Sequence, residues 1–280
     1  MPSKAGRILV VGCGYVGLPL ALHFRQQGYE VGAWVRSAES AEALKRYDFE
    51  KVVVGSVADE ALWDGLGDYD GVIHGASSGR GGAEAYREVF LEGARRMVER
   101  QKVARKLFIS STSVYGQTEG EIVTEELGAE PATETGKILR EAEEVALAGG
   151  AIVVRSAGIY GPGRGVLFEK LRRGEAVIEG DGARWMNQIH RDDLVSALAF
   201  LWERGESGEI YNASDNEPVR ARDFYAWGSE FLGVAMPPSG AVKLERKRGV
   251  TSKRVSNAKL RGLGWAARFP SFRDGLGEGS

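Results

Sequence analysis

The segment "RILVVGCGYVGLPLALHFRQQG", residues 7–28, decides how the rest of the chain is read. Arg7 to Val11 is a short apolar run, long enough for a buried strand and too short for a helix. Glycines follow at 12, 14 and 17, with the spacing G-x-G-x-x-G. Apolar residues then recur at helical spacing until Gly28. Strand, glycine turn and helix together are the context that gives this spacing meaning. Gly12 permits a tight turn, Gly14 lets the backbone approach a pyrophosphate, and Gly17 lets the helix pack close to the strand. The helix start, entered through Tyr15 and Val16, offers unpaired N–H groups to an anion.

Outward from this unit the same alternation repeats. Strands are expected at 30–35, 51–55, 70–76, 105–111 and 151–156. Between them lie a short helix capped by Ser37 or Ser40, a long amphipathic helix over 83–102, and a helix opening at "TETGK", 133–137. This order predicts an α/β fold: a Rossmann-type doubly wound parallel sheet with helices on both faces. Past Tyr160 the pattern loosens, which predicts a smaller C-terminal substrate lobe. The expected division is 1–164 and 190–214 for the dinucleotide-binding domain, and 165–189 with 215–280 for the lobe. Ligands of open α/β sheets bind at the strands' C-terminal ends, so the lobe should cover that edge.

Composition narrows the function classes. The 280 residues are 43% hydrophobic and 27% charged, with a net charge of −2. Those values suit an ordinary globular protein and give no electrostatic footprint for nucleic acid. The basic run 243–254 reads either as a solvated face or as an anion-facing patch. A single cysteine, Cys13, excludes an intrachain disulfide and a cysteine zinc cluster; no metal site is expected. No apolar run reaches membrane-spanning length and no signal-peptide pattern stands at the start, so a cytoplasmic protein is expected.

The end of the second strand bears on the cofactor. Selectivity for NAD usually needs an acid there to grip the ribose 2′-hydroxyl. This chain has Val35, Arg36 and Ser37. Arginine binds a 2′-phosphate through a forked, charge-assisted contact, which a carboxylate would repel. NADP is therefore expected over NAD.

Two resemblances follow. "GCGYVGLPLAL" is similar to the start of the UDP-sugar 6-dehydrogenases, but that family uses a catalytic cysteine far downstream, and here the sole cysteine lies in the glycine loop. The second covers nearly the whole chain. "SSTSVYG" (110–116), the 133–148 helix, "RSAGIYGPGR" (155–164), "NQIHRDDL" (187–194), "YNASDNEP" (211–218) and "KRVSNAKLRGLGW" (253–265) occur in order. With the glycine loop they resemble the extended short-chain dehydrogenases/reductases, within the NAD-dependent epimerase/dehydratase family, nearest the atypical YeeZ-like branch.

The resemblance implies hydride transfer using Ser/Thr, Tyr and Lys. It places Ser111 at the Ser/Thr, with Ser113 next to it, and Lys137 at the lysine that binds the nicotinamide ribose. Thr133 then stands where the tyrosine should be, and an aliphatic hydroxyl is a poor general base. Tyr115 and His74 are candidate replacements or cofactor contacts, while Tyr160, Glu134 and Arg164 are candidates around the site. His190 reads as a fold element. Ser56 and Val57 replace an aspartate that the family often sets against adenine. The resemblance also implies a small-molecule substrate, possibly a nucleotide sugar, and a possible homodimer through 83–102 and 136–148. Two functions remain open: an NADP-dependent oxidoreductase or epimerase with altered acid/base residues, and a catalytically silent NADP-binding sensor or scaffold.

Overall fold

The computed structural model describes residues 5–79, 81–102, 104–242 and 250–277. Among them runs a seven-stranded parallel sheet. Its spatial order is Ile210–Ala213, Ile152–Ser156, Arg105–Ser111, Gly71–His74, Ala5–Val11, Tyr29–Val35 and Lys51–Val54. The chain builds outward from the first strand to the third, then crosses back to place the fourth on the first strand's other side. That reversal opens a crevice between the ends of Ala5–Val11 and Gly71–His74.

Both faces of the sheet are covered, which is why its strands are apolar throughout rather than alternating. Along the first strand, Ile8 and Val10 enter one core, and Leu9 and Val11 enter the other. The first core takes Leu20 and Phe24 from the helix Gly17–Gln26, and Leu194, Leu198 and Leu201 from the helix Arg191–Arg204. The second takes Val89 and Met97 from the helical stretch 83–100, and Leu139 and Ala142 from Glu134–Ala148.

The long helix departs from expectation in its middle. Residues Ala83–Tyr86 and Gly93–Arg100 are α-helical, but Arg87–Glu92 winds as a π-helix. Such turns hold an extra residue inside a helix and recur at functional sites.

A third core joins Tyr160, Phe168, Leu171, Met186, Phe224, Tyr225 and Phe272. It lies under two short pairings, Trp185–Met186 with Val219–Arg220 and Ile178–Glu179 with Ser239–Gly240. Part of the stretch 215–280 assigned to the lobe packs on the main layers. Val255 packs in one sheet core, and Leu260 and Trp265 in the other, so the chain returns to the main layers there. Residues 243–249 of the basic run lie outside the described residues; Lys253–Val255 forms a strand paired with Glu121–Val123.

Candidate active site

The glycine loop closes a cavity of about 340 Å³ at the crevice. The three glycines differ in what surrounds them. Gly12 has φ +92°, and a Cβ there would run into the backbone of Gly75 and Ala76 at the end of the fourth strand. At Gly17 a Cβ would overlap the Gly12 carbonyl oxygen. Gly14 meets nothing within 4 Å, so its backbone faces open space. The helix begins at Gly17 after Val16, with no side chain capping its N-terminus. Unpaired N–H groups, an open glycine and a cavity suit the diphosphate of a dinucleotide. Cys13 is buried, and burial pushes its thiol up to about 12, so it packs as an apolar residue.

Tyr15, Val16 and Arg36 line this cavity. Arg36 is exposed and makes no ion pair among the described residues. Ser37 is a correction: its hydroxyl accepts from the Ser40 N–H at 3.2 Å and caps the helix Ala38–Leu44, and Ser40 reaches the cavity instead. Ser56 stands where an aspartate was expected. It donates to Glu88 at 2.5 Å, a residue of the π-helical turn, and Glu88, Val89 and Phe90 all line the cavity. Sequence reasoning missed Glu88 because an α-helical period does not anticipate the extra residue of a π turn.

The helix Glu134–Ala148, with Thr133 as its N-cap, does not carry the expected pair on its buried face. Its buried face carries Thr135, Ile138, Leu139, Ala142, Glu143 and Ala146. Residues four apart on that face are Thr135 and Leu139, 8% and 1% exposed, and Leu139 lines the cavity. Lys137 lies about 160° around the helix from Leu139. It is exposed and does not line either described cavity. Thr133 is the N-cap: its Oγ1 accepts from the Gly136 N–H at 3.2 Å. Neither the expected Thr133 nor Lys137 stands inside. The inward positions hold a second threonine and a leucine. The apolar stripe through Ile138, Leu139 and Ala142 already carried that signal, since it sets Lys137 on the opposite side.

One turn beyond Leu139, Glu143 anchors a buried network. Arg155 holds it through two bonds, Nε to Oε1 at 3.0 Å and Nη2 to Oε2 at 2.8 Å, and Ser110 donates to Oε1 at 2.6 Å. Arg155 also donates to the Tyr115 hydroxyl at 2.9 Å, which lies 3.0 Å from the Asn212 amide oxygen. Tyr115 is thus fully enclosed and lines no described cavity, and burial raises its phenol. It is architectural rather than a substitute acid or base. His74 is likewise fully buried behind the cavity wall, against Phe108 and under Gly93. Burial lowers its pKa to about 4, so the ring stays neutral and holds no cofactor contact. His190 accepts from the Asp192 N–H at 3.2 Å and caps the helix Arg191–Arg204.

Ser111 ends its strand at the junction of two spaces. Its Oγ accepts from the Ser113 N–H at 3.2 Å, which leaves the hydroxyl proton to donate. A second cavity of about 630 Å³ opens beyond it. Ser111, Ile159 and Arg164 line both. The second wall adds Tyr160, Phe168, Arg184, Trp185, Gln188, Phe224 and Lys253. Among the described residues no group of three or more His, Cys, Asp or Glu is placed to hold a metal, and no helix is long and apolar enough to cross a membrane.

A parallel seven-stranded sheet with a glycine-loop cavity at its switch point defines a Rossmann-type dinucleotide-binding protein. The model of the NAD dependent epimerase/dehydratase family matches residues 8–214, and the chain belongs to that family. It is 27% identical to protein YeeZ of Escherichia coli over 278 residues, covering 94% of this chain and 96% of that one. It is also 27% identical to the 3-diazoavenalumate denitrifying reductase of a Streptomyces species, covering 97% and 99% of the two chains. The dTDP-glucose 4,6-dehydratase of Streptomyces venezuelae, solved with NAD and TYD bound, superposes with a TM-score of 0.82 at 22% identity, over 97% and 95% of the chains. That likeness is one of fold.

Proposed function

We propose that the protein is an NADP-dependent oxidoreductase that acts on a small hydroxyl or carbonyl compound without the family's tyrosine and lysine. The observation that carries this reading is the shared wall of the two cavities, Ser111, Ile159 and Arg164. It joins a dinucleotide site to a space for a second molecule. The glycine loop would hold the diphosphate, and Arg36 with Ser40 would meet a 2′-phosphate. When bound, a nicotinamide supplies hydride chemistry. Ser111 would orient the substrate oxygen by donating its proton in a hydrogen bond. Leu139 lines the first cavity, while Lys137, the lysine of the resemblance, is exposed and lines neither cavity, which supports a reaction that does not use it. Nucleotide sugars are what several structural neighbours bind, and they are one candidate class. The Streptomyces relative's name, a reductase, favours reduction over epimerisation.

The test is NADPH absorbance in the presence of carbonyl and nucleotide-sugar compounds, with Ser111→Ala alongside. Turnover that Ser111→Ala slows at least about ten-fold supports the reading. Tight NADPH binding with no turnover over a broad panel would instead support a silent sensor, the reading favoured by Thr133 standing where the resemblance places the tyrosine.

A further inference from the structure

The second cavity is charged in one sense only. Arg164, Arg184 and Lys253 line it, and among the described residues no aspartate or glutamate does. Lys253 is the buried member, 4% exposed. Its Nζ donates to the Tyr115 carbonyl oxygen and to Thr251 Oγ1, each at 2.9 Å, and it meets no carboxylate among the described residues. An ammonium buried without a counter-charge is costly unless an anion arrives. The Gln188 side chain adds a second sign of a missing acceptor, since its buried Nε2 has no partner among the described residues.

The remainder of the wall is apolar. Phe168, Trp185, Met186 and Phe224 form its body, and Val166 and Leu167 stand exposed at the same cavity. The Asn187 amide is already committed: it donates to the Lys253 carbonyl at 2.9 Å and accepts from the Val255 N–H at 2.7 Å. A polyhydroxylated sugar needs acceptors around its ring, and carboxylates are the strongest of these. Among the described residues this wall offers cations, amides, hydroxyls and hydrocarbon, and no carboxylate.

We propose that this cavity receives an anion with an apolar, ring-bearing body, whose carboxylate or phosphate oxygen rests on Lys253 Nζ. The proposal rests on the second cavity being the substrate site, and it narrows the substrate class within that reading. Lys253 lies on a short strand held to the 111–115 loop through the Tyr115 carbonyl, so the anion's position is tied to Ser111 by rigid backbone.

The experiment uses the full chain with saturating NADP and measures binding calorimetrically. The probes are trans-cinnamate, its methyl ester, phenyl phosphate, inorganic phosphate and UDP-glucose. Cinnamate or phenyl phosphate should bind, and whichever binds tighter identifies the anion type. The methyl ester should bind roughly ten-fold or more weakly than the acid, and Lys253→Met should weaken the anion by the same factor while leaving NADPH affinity unchanged. The ester comparison removes the charge from the ligand and so stands even if Lys253→Met fails to fold. Equal affinity for acid and ester, inorganic phosphate binding as tightly as phenyl phosphate, or UDP-glucose binding while no ring anion does, would each overturn the proposal. So would failure of every probe to bind. Loss of NADPH binding in the unmodified chain would strike the dinucleotide reading alone, because the acid–ester comparison is then repeated without cofactor.

Discussion

The two cavities that meet at Ser111 are built by different means. The first is shaped by backbone: a tight turn at Gly12, an open face at Gly14, a helix start at Gly17 and the ends of adjacent parallel strands. The second is shaped by side chains from six separate stretches, near 111, 160, 185, 224, 253 and 276. Backbone sites bind what every member of a fold binds, whereas side-chain sites choose the particular molecule. The first cavity should therefore respond most to changes of chain conformation, and the second to changes of charge.

The largest effect on cofactor binding is expected from Gly17→Ala. The added methyl would overlap a carbonyl oxygen that belongs to the loop itself, which has little room to give. Cofactor affinity should fall by about 3 kcal/mol, roughly a hundred-fold, in a fluorescence titration with NADPH. A variant that binds normally would show that the loop adapts, and the contrast between the two cavities would weaken. The largest effect on stability is expected from Glu143→Ala, which strands the buried Arg155 guanidinium and should cost about 3–5 kcal/mol in denaturant unfolding. Arg36→Ala should weaken NADP by about 1.5–3 kcal/mol and leave NAD unchanged. Equal losses for both would mean that Arg36 meets no 2′-phosphate.

The second cavity should show a pH dependence that the first lacks. Burial, with Arg184 adding repulsion, lowers the Lys253 pKa to about 8. The groups facing its Nζ are the Tyr115 carbonyl and Thr251, neither of which titrates near that pH. Anion binding should hold below pH 8 and fall roughly ten-fold per unit above it, as the ammonium loses its proton. A flat profile for cinnamate from pH 7 to 9.5 would place the anion elsewhere. The smallest expected effect is at Lys137→Ala. On the outer side of its helix it should change cofactor affinity less than about two-fold, near the limit for an exposed charge.

That last variant also shows what the sequence made legible. The glycine spacing, the apolar strand runs and their alternation with helical segments were sufficient for the sheet and its switch point, because those signals are local. The candidate site divided along the same line as the cavities. Gly12, Gly14 and Gly17 could be placed by local geometry. The places of Thr133 and Lys137 follow from the resemblance, which does not say which way a side chain on that helix faces; two positions along a helix turn it to the far side. Leu139 carries no chemistry that would draw attention, and only the buried face of the helix brings it to the cavity. Lys253 lies 142 residues beyond Ser111 in the chain, and no periodicity links them. Its proximity to the 111–115 loop comes from a two-strand pairing, Lys253–Val255 with Glu121–Val123. His74 and Tyr115 misled for the opposite reason: titratable residues at strand ends look functional in one dimension and prove enclosed in three.

The π-helical turn at Arg87–Glu92 has an evolutionary consequence. An extra residue in an α-helix would ordinarily swing everything after it by about 100° and scramble its packing. Here the surplus is absorbed within six residues, and Gly93–Arg100 still presents Ala94 and Met97 to the core. The absorbed stretch is also the part that supplies Glu88, Val89 and Phe90 to the cofactor cavity. Gaining or losing a single codon there would remodel that wall while sparing the sheet beneath it. Length variation, not only substitution, is thus available to this lineage for tuning what its first cavity holds.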